Sequence, residues 1–268
     1  MSAEIEAGTR SDRGRGLSLS FSRAPYWLII LLILFLITFY AILSSETYAS
    51  ALTFIAEGIQ LTIAISVAAY AVALIVGLII GLGRVSKNPI IYTLATLYVE
   101  VMRGVPLLVI IFYAQFVIMP WIDDVLAFQK ALLRNTFITG VIALALGYAA
   151  YLAEVYRAGI ESIERGQSEA ARSLGMSHFQ TMRYIVLPQA VRRVLPALGN
   201  DFIAMLKDSS LLSAIGITEL TYWGKTKVAA SANTFLGWNT VAFLYLILSL
   251  LLSLVVKWIE RRTSSGRR

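Results

Sequence analysis

Apolar positions along the chain fall into six long blocks. They follow neither the alternation of a half-buried strand nor the one-sided stripe of a surface helix. The blocks are Tyr26–Leu43, Gly58–Gly83, Gly104–Ile122, Asn135–Ala153, Val194–Thr218 and Trp238–Val256. A helix needs about 20 such residues to cross a bilayer. The pattern therefore predicts an all-α, polytopic membrane protein with six spans. Thr93–Met102 precedes the third block and either continues its helix or lies at the interface. Gly104 and Pro106 break a helix there. The fifth block is interrupted by Asp201, Lys207 and Asp208. The largest polar stretch, Glu154–Arg193, has room for two short helices and for no soluble domain.

Composition narrows the classes further. Of 268 residues, 58% are hydrophobic and 15% charged, and the mean hydropathy is +0.73. Soluble domains carry about 45–50% apolar and about 25% charged residues, so a water-soluble enzyme is excluded. The formal charge of +7 finds no solvated face on which nucleic acid would bind. There is no Cys and one His, which excludes thiolate chemistry, His-based metal sites and a Ser-His-Asp triad. Placing both termini in the cytoplasm puts most Lys and Arg inside and leaves Lys130, Arg134, Lys225 and Lys227 outside. The positive-inside rule thus favours an N-in, C-in topology. Residues 1–24 form a polar tail expected to be disordered, and residues 261–268 a basic cytoplasmic tail. Small residues at Ala49–Ala51 offer a signal-peptide cleavage site. The first apolar block outruns a typical h-region of about 7–15 residues, which favours a retained helix over 25–44.

Two local patterns carry structure. Ala69, Ala73, Gly77 and Gly81 recur every four residues and form a small-residue stripe on which another helix can pack closely. The segment after the fourth block reads as helix, turn, helix over 157–190. Glu169 opens the first helix, Gly175 ends it in the left-handed conformation, and Ser177 with Gln180 forms a capping box for the second. Pro188 and Pro196 limit how far that second helix continues. Such a hairpin between two spans can pass force from a partner into the membrane. An ordinary interfacial loop is the plain alternative.

The residues of this hairpin also resemble a known motif. Glu169-Ala170-Ala171, three residues, Gly175, nine residues, Ile185, one residue and Leu187-Pro188 match the EAA motif of ABC importer permeases. Glu100-Val101-Met102-Arg103-Gly104-Val105-Pro106-Leu107-Leu108 resembles the E-x-x-R-G-x-P-L-L signature of polar amino-acid permeases. Asn200-Asp201-Phe202-Ile203 followed by Lys207-Asp208-Ser209-Ser210-Leu211 resembles a second segment of that group. The likeness runs from about residue 58 to residue 260. It implies a five-span type I importer core over 58–260, preceded here by one extra helix, in a bacterial inner membrane. It also implies that Glu169, Ala170, Ala171 and Gly175 contact an ATPase subunit. The implied partners are an ABC ATPase dimer, a second permease (a related chain or a second copy), an extracytoplasmic amino-acid-binding protein and the lipid bilayer.

Candidate substrate-pathway residues are Lys207, Asp208, Ser209, Ser210, Asn200, Glu100 and Arg103. Charge inside a span is costly and marks a functional position by default. Asp208 suits an α-ammonium and Lys207 a carboxylate, with Ser209 and Ser210 adding hydroxyls. The alternative is that Lys207 pairs with a neighbouring acid and only pins helices. Glu100 and Arg103 lie three residues apart and are placed to pair on one helix face. No phosphate-loop sequence is present, because Gly216 and Gly224-Lys225 are wrongly spaced. The chain is therefore read as a transporter subunit with no catalytic residue, metal or cofactor of its own, and ATP-Mg on the partner ATPase. Two rival readings remain. One is a structural half of a paired permease without substrate contact. The other is an ion-coupled carrier, which calls for midplane carboxylates and inverted repeats.

Overall fold

A computed structural model gives the fold, and residues 26–126 and 135–264 are described. Among them every element is helical: α1 Tyr26–Ser44, α2 Glu46–Ala56, α3 Gly58–Arg84, α4 Pro89–Gly104, α5 Leu107–Tyr113, α6 Met119–Leu126, α7 Thr136–Glu161, α8 Arg165–Ser173, α9 His178–Thr181, α10 Leu187–Asp208, α11 Leu220–Ser231 and α12 Thr234–Ser264. Lys130, Arg134, the 1–24 tail and residues 265–268 lie outside the described residues.

Two compact units are distinguished, Met1–Ala41 and Ile42–Arg268. The helix α1, which runs from the first unit into the start of the second, is uncharged and 19 residues long, about 28 Å at 1.5 Å per residue. That length suits a bilayer core. In the second unit four segments are long and apolar enough to span: Glu46–Arg84, Leu107–Val125, Thr136–Glu161 and Thr234–Arg262. The fifth apolar block fails that test of composition. Its helix starts earlier than expected, at Leu187, and carries Arg192, Arg193, Asp201, Lys207 and Asp208 before tightening into a 3-10 turn over Ser209–Ile215.

The helices α3 and α7 form the centre of the larger unit. The small-residue stripe is the reason. Ala69, Ala73, Gly77 and Gly81 are all buried. A Cβ on Gly77 would stand 2.8 Å from Leu152 Cβ, and one on Gly81 2.9 Å from the Ala153 carbonyl oxygen. Only glycine lets the two backbones come this close. Ile65 of α3 and Leu144 of α7 form one buried cluster with Ile111, Met205 and Leu212. Polar groups stitch the same region. Tyr70 donates to the Leu198 carbonyl, and Tyr98 to the Leu146 carbonyl at 2.6 Å. The Leu220 N–H donates to Thr62 Oγ1 at 3.0 Å. In an apolar medium an unmatched backbone group is expensive, so each of these bonds fixes a helix crossing.

Several sequence expectations change here. Ala49–Ala51 lies inside α2, with Ala51 fully buried and Ala49 and Ser50 exposed. The Thr93–Met102 stretch belongs to its own helix, α4. Val105 is extended (φ −96°, ψ 133°) and α5 starts afresh after Pro106. The residue before a proline is pushed to that conformation.

Prolines elsewhere do not end helices. Pro120 and Pro188 are each preceded by a π turn, Ala114–Ile118 and Met182–Val186. In both, the residue just before the proline (Met119 or Leu187) donates its N–H to the carbonyl five residues back. The wider turn makes room for a ring that would otherwise clash one turn back. The second arm of the hairpin therefore runs on as helix from His178 to Asp208, through Pro196 as well.

Candidate functional site

The hairpin is built as the capping pattern demands, with one shift. Its first helix, α8, starts at Arg165, so Glu169 sits in the middle of the helix and does not open it. Glu164 holds the N-cap position instead. Gly175 has φ +83°. The Met176 N–H reaches the Ala171 carbonyl at 3.2 Å, and the Gly175 N–H the Arg172 carbonyl at 3.0 Å. These two bonds form a Schellman motif. Ser177 and Gln180 make the expected reciprocal capping box, at 3.2 and 2.8 Å. Gln189 of α10 donates to Gln167 of α8 at 3.4 Å and ties the arms together.

Glu169, Ala170 and Gly175 are exposed, whereas Ala171 is 4% exposed. The adjacent alanines thus lie on different sides of the helix: Ala171 is buried, and Ala170 is open to a partner. Leu174, at 84% exposure, and Phe179, at 69%, are bare apolar side chains at the tip. Apolar groups of this size presented together mark a contact surface.

The second site forms where the two other signature segments meet α7. Tyr148 donates to Asp208 Oδ2 at 2.7 Å. The Arg103 guanidinium lies 5.7 Å from the centre of the Tyr151 ring, within cation–π range. The two tyrosine rings are 6.0 Å apart. Arg103 and Asp208 thus lie at the two ends of a tyrosine bridge on one helix. Asp201 lies one helix stretch earlier, with a buried Oδ2 that accepts no bond in the structure. Next to it, Phe202 stacks on Tyr70 at 4.8 Å.

The remaining expected residues divide. Glu100 does not pair with Arg103; its carboxylate faces Arg84 at 3.9 Å. A partner on α3 is nearer than one on its own helix. Lys207 is exposed and forms no ion pair among the described residues, so it does not pin helices here. Ser209 is buried and donates to the Leu206 carbonyl at 2.7 Å, which commits its hydroxyl to the helix end. Ser210 accepts at its carbonyl from Ser213 at 2.8 Å, and Asn200 is exposed. Among the described residues no cluster of three His, Asp or Glu side chains is placed to hold a metal.

Sequence reading missed the tyrosines. Tyr148 and Tyr151 stand in an apolar block, where an aromatic residue passes as filling. Their three-residue spacing was the available signal. It also missed Glu219, which is fully buried and caps α11 by accepting from the Thr221 and Tyr222 N–H groups, both at 2.9 Å. Tyr245 of α12 donates to the same carboxylate at 2.7 Å.

Known proteins resemble this chain in sequence and in fold. The glutamine transport system permease protein GlnP of Escherichia coli (strain K12) is 36% identical over 212 residues, covering 79% of this chain and 94% of that protein. The probable amino-acid permease protein YxeN of Bacillus subtilis (strain 168) is 35% identical over 226 residues, covering 83% and 97%. Among solved structures, an amino acid ABC transporter matches with a TM-score of 0.68 and 37% identity, covering 82% of this chain and 97% of that one. The MetNI methionine ABC transporter, in an inward-facing conformation, shares the fold with a TM-score of 0.65 at 20% identity, covering 82% and 99%. Residues 73–265 match the family described as the inner membrane component of binding-protein-dependent transport systems, and the chain belongs to that family of membrane permeases.

Proposed function

We propose that this chain is the permease subunit of an ATP-binding-cassette importer that carries a polar amino acid. The amino acid arrives on an extracytoplasmic binding protein, and ATP-Mg is hydrolysed on a separate ATPase dimer. The observation that carries the reading is the hairpin. It is rigidly capped, exposes Glu169, Ala170 and Gly175, and bares Leu174 and Phe179 at its tip. A carrier driven by an ion gradient has no use for such an element. The names of the relatives support the substrate class.

In this reading both termini and the hairpin lie in the cytoplasm, where the Lys and Arg excess places them. ATP closes the ATPase dimer, the hairpins of two paired permeases approach, and the spans open outward. Hydrolysis returns them inward. Within the membrane, Asp208 and Arg103 supply the two charges that a zwitterionic amino acid needs. Tyr148 holds the Asp208 carboxylate in place, and its hydroxyl leaves one carboxylate oxygen to accept from an ammonium. The exposed Lys207, with Asn200 and Glu100, lines the approach; Ser209 and Ser210 shape the helix end beneath it. The partner permease is a related chain or a second copy.

The test is ATP hydrolysis by the complex in proteoliposomes, with binding protein present and a panel of amino acids added singly. Stimulation by polar amino acids, lowered about tenfold or more in Asp208→Asn, is the expected result. Stimulation that survives Asp208→Asn and Arg103→Gln unchanged favours the rival reading, in which this chain is the structural half of the pair. Hydrolysis indifferent to every amino acid rules out the substrate class.

A further inference from the structure

A chain of charges runs across the end of the helix bundle from which the hairpin projects, and of its members only Glu100 has a place in the proposed substrate pathway. Arg84, the last residue of α3, donates to Glu154 of α7 at 2.6 Å and faces Glu100 of α4 at 3.9 Å. Glu154 also accepts from Arg157, and Arg157 donates in turn to Glu161. Glu154, Arg157 and Glu161 therefore share one face of the last two turns of α7. The next residue, Ser162, gives its carbonyl to Arg193 of α10. Ser162 is where the chain enters the hairpin, and Arg193 lies just beyond where it leaves.

Glycine contacts bring the same helices close at this level. A Cβ on Gly81 would lie 2.9 Å from both the Ala153 carbonyl oxygen and Tyr156 Cβ, flanking Glu154. Gly159 of α7 is pressed against Val194 of α10, and a Cβ there would overlap it. By contrast, α4 and α5 are joined only through the extended Val105 and Pro106, and a Cβ on Gly104 would meet nothing within 4 Å. Tight glycine contacts and charge pairs occur together on one side, and an open break lies on the other.

We propose that the Arg84–Glu154 pair couples α3, α7 and the hairpin base into one moving body, so that motion of the hairpin reaches the spans and is taken up at the Val105–Pro106 break. This rests on the reading of the hairpin as the ATPase contact. Arg84 and Glu154 are positioning residues in this scheme and touch no substrate. The simple alternative is that they neutralise one another at a membrane boundary. The two differ in a double variant. Arg84 and Glu154 are partly buried; replacing both together leaves neither charge of the pair alone, and in Arg84→Met/Glu154→Met Arg157 keeps Glu161.

The experiment compares the wild-type complex with this double variant and with Arg84→Lys in proteoliposomes. It measures ATPase co-purification, melting temperature, ATP hydrolysis and amino-acid uptake. The expected result is unchanged assembly and melting temperature, sustained hydrolysis, and uptake per ATP about fivefold lower or less in the double variant. Arg84→Lys, which keeps the charge, holds uptake per ATP near the wild-type ratio. Uptake and hydrolysis that stay in the wild-type proportion in the double variant would overturn the proposal, whether both are unchanged or both fall together. A wild-type chain that binds no ATPase would instead overturn the underlying reading, and this proposal with it.

Discussion

Gly175 is the residue on which the hairpin turns. Its φ of +83° is one an L side chain adopts at a cost of about 1–2 kcal/mol. A Cβ there would meet nothing within 4 Å, so the cost is purely one of backbone conformation. Gly175→Ala should therefore weaken ATPase association more than it lowers the melting temperature of the whole chain, as read by co-purification and by thermal unfolding in detergent. Thr62 gives a second, independent test. Its hydroxyl donates to the Gly58 carbonyl at 2.8 Å and accepts from the Leu220 N–H. Thr62→Val keeps the shape but strands a buried N–H, at a cost of about 1–3 kcal/mol. Thermal unfolding should register that loss, whereas Thr38→Val, on a hydroxyl bonded only within α1, should change little.

At the scale of elements, the glycine contacts make the sharpest claim. Gly81→Val adds bulk where a first carbon already stands 2.9 Å from backbone, so α3 and α7 must part. Overpacking of this kind costs about 1–3 kcal/mol. A fall in melting temperature is expected with Gly81→Val, and none with Gly166→Ala, where an added Cβ would meet no neighbouring element within 4 Å. This stripe was legible in the sequence because four-residue periodicity of small side chains has a single geometric meaning on a helix. The Schellman turn and the capping box were legible for the same reason, since both are local. What escaped was set by distant neighbours. Glu100 chose Arg84 over Arg103 because α3 comes within reach, and no spacing along α4 reports that. Pro188 reads as a limit on its helix, yet a π turn ahead of it absorbs the ring. The helix α2 was overlooked because its eleven residues are too short for a span and pack on α11 and α12 from a distant part of the chain.

For the molecule as a whole, the proposed N-in, C-in orientation rests on the distribution of Lys and Arg. Because the chain has no cysteine, single cysteines report topology cleanly. Ser168→Cys on the hairpin should be labelled by a membrane-impermeant thiol reagent only after the cells are opened. Ala229→Cys on α11 should be labelled in intact cells whose outer layers admit the reagent. The reverse pattern would overturn the N-in, C-in topology. The family and the membrane setting rest on most of the chain's length. The substrate pathway rests on the few residues that α7 gathers, and Tyr148 and Tyr151 among them came to light only with the fold. In the proposed pathway the two charges come from α4 and α10 and the tyrosines between them from α7, a grouping that no single motif contains.

The central claim is that the exposed hairpin docks an ATPase subunit. Its most direct measurement is co-purification of the co-expressed ATPase with the wild-type chain and with Ala170→Arg, which places a bulky cation on the open face of α8. Stoichiometric ATPase with the wild type, and its loss in Ala170→Arg at unchanged melting temperature, is the expected result. Absence of ATPase from the wild type, or full retention in Ala170→Arg, would contradict the account.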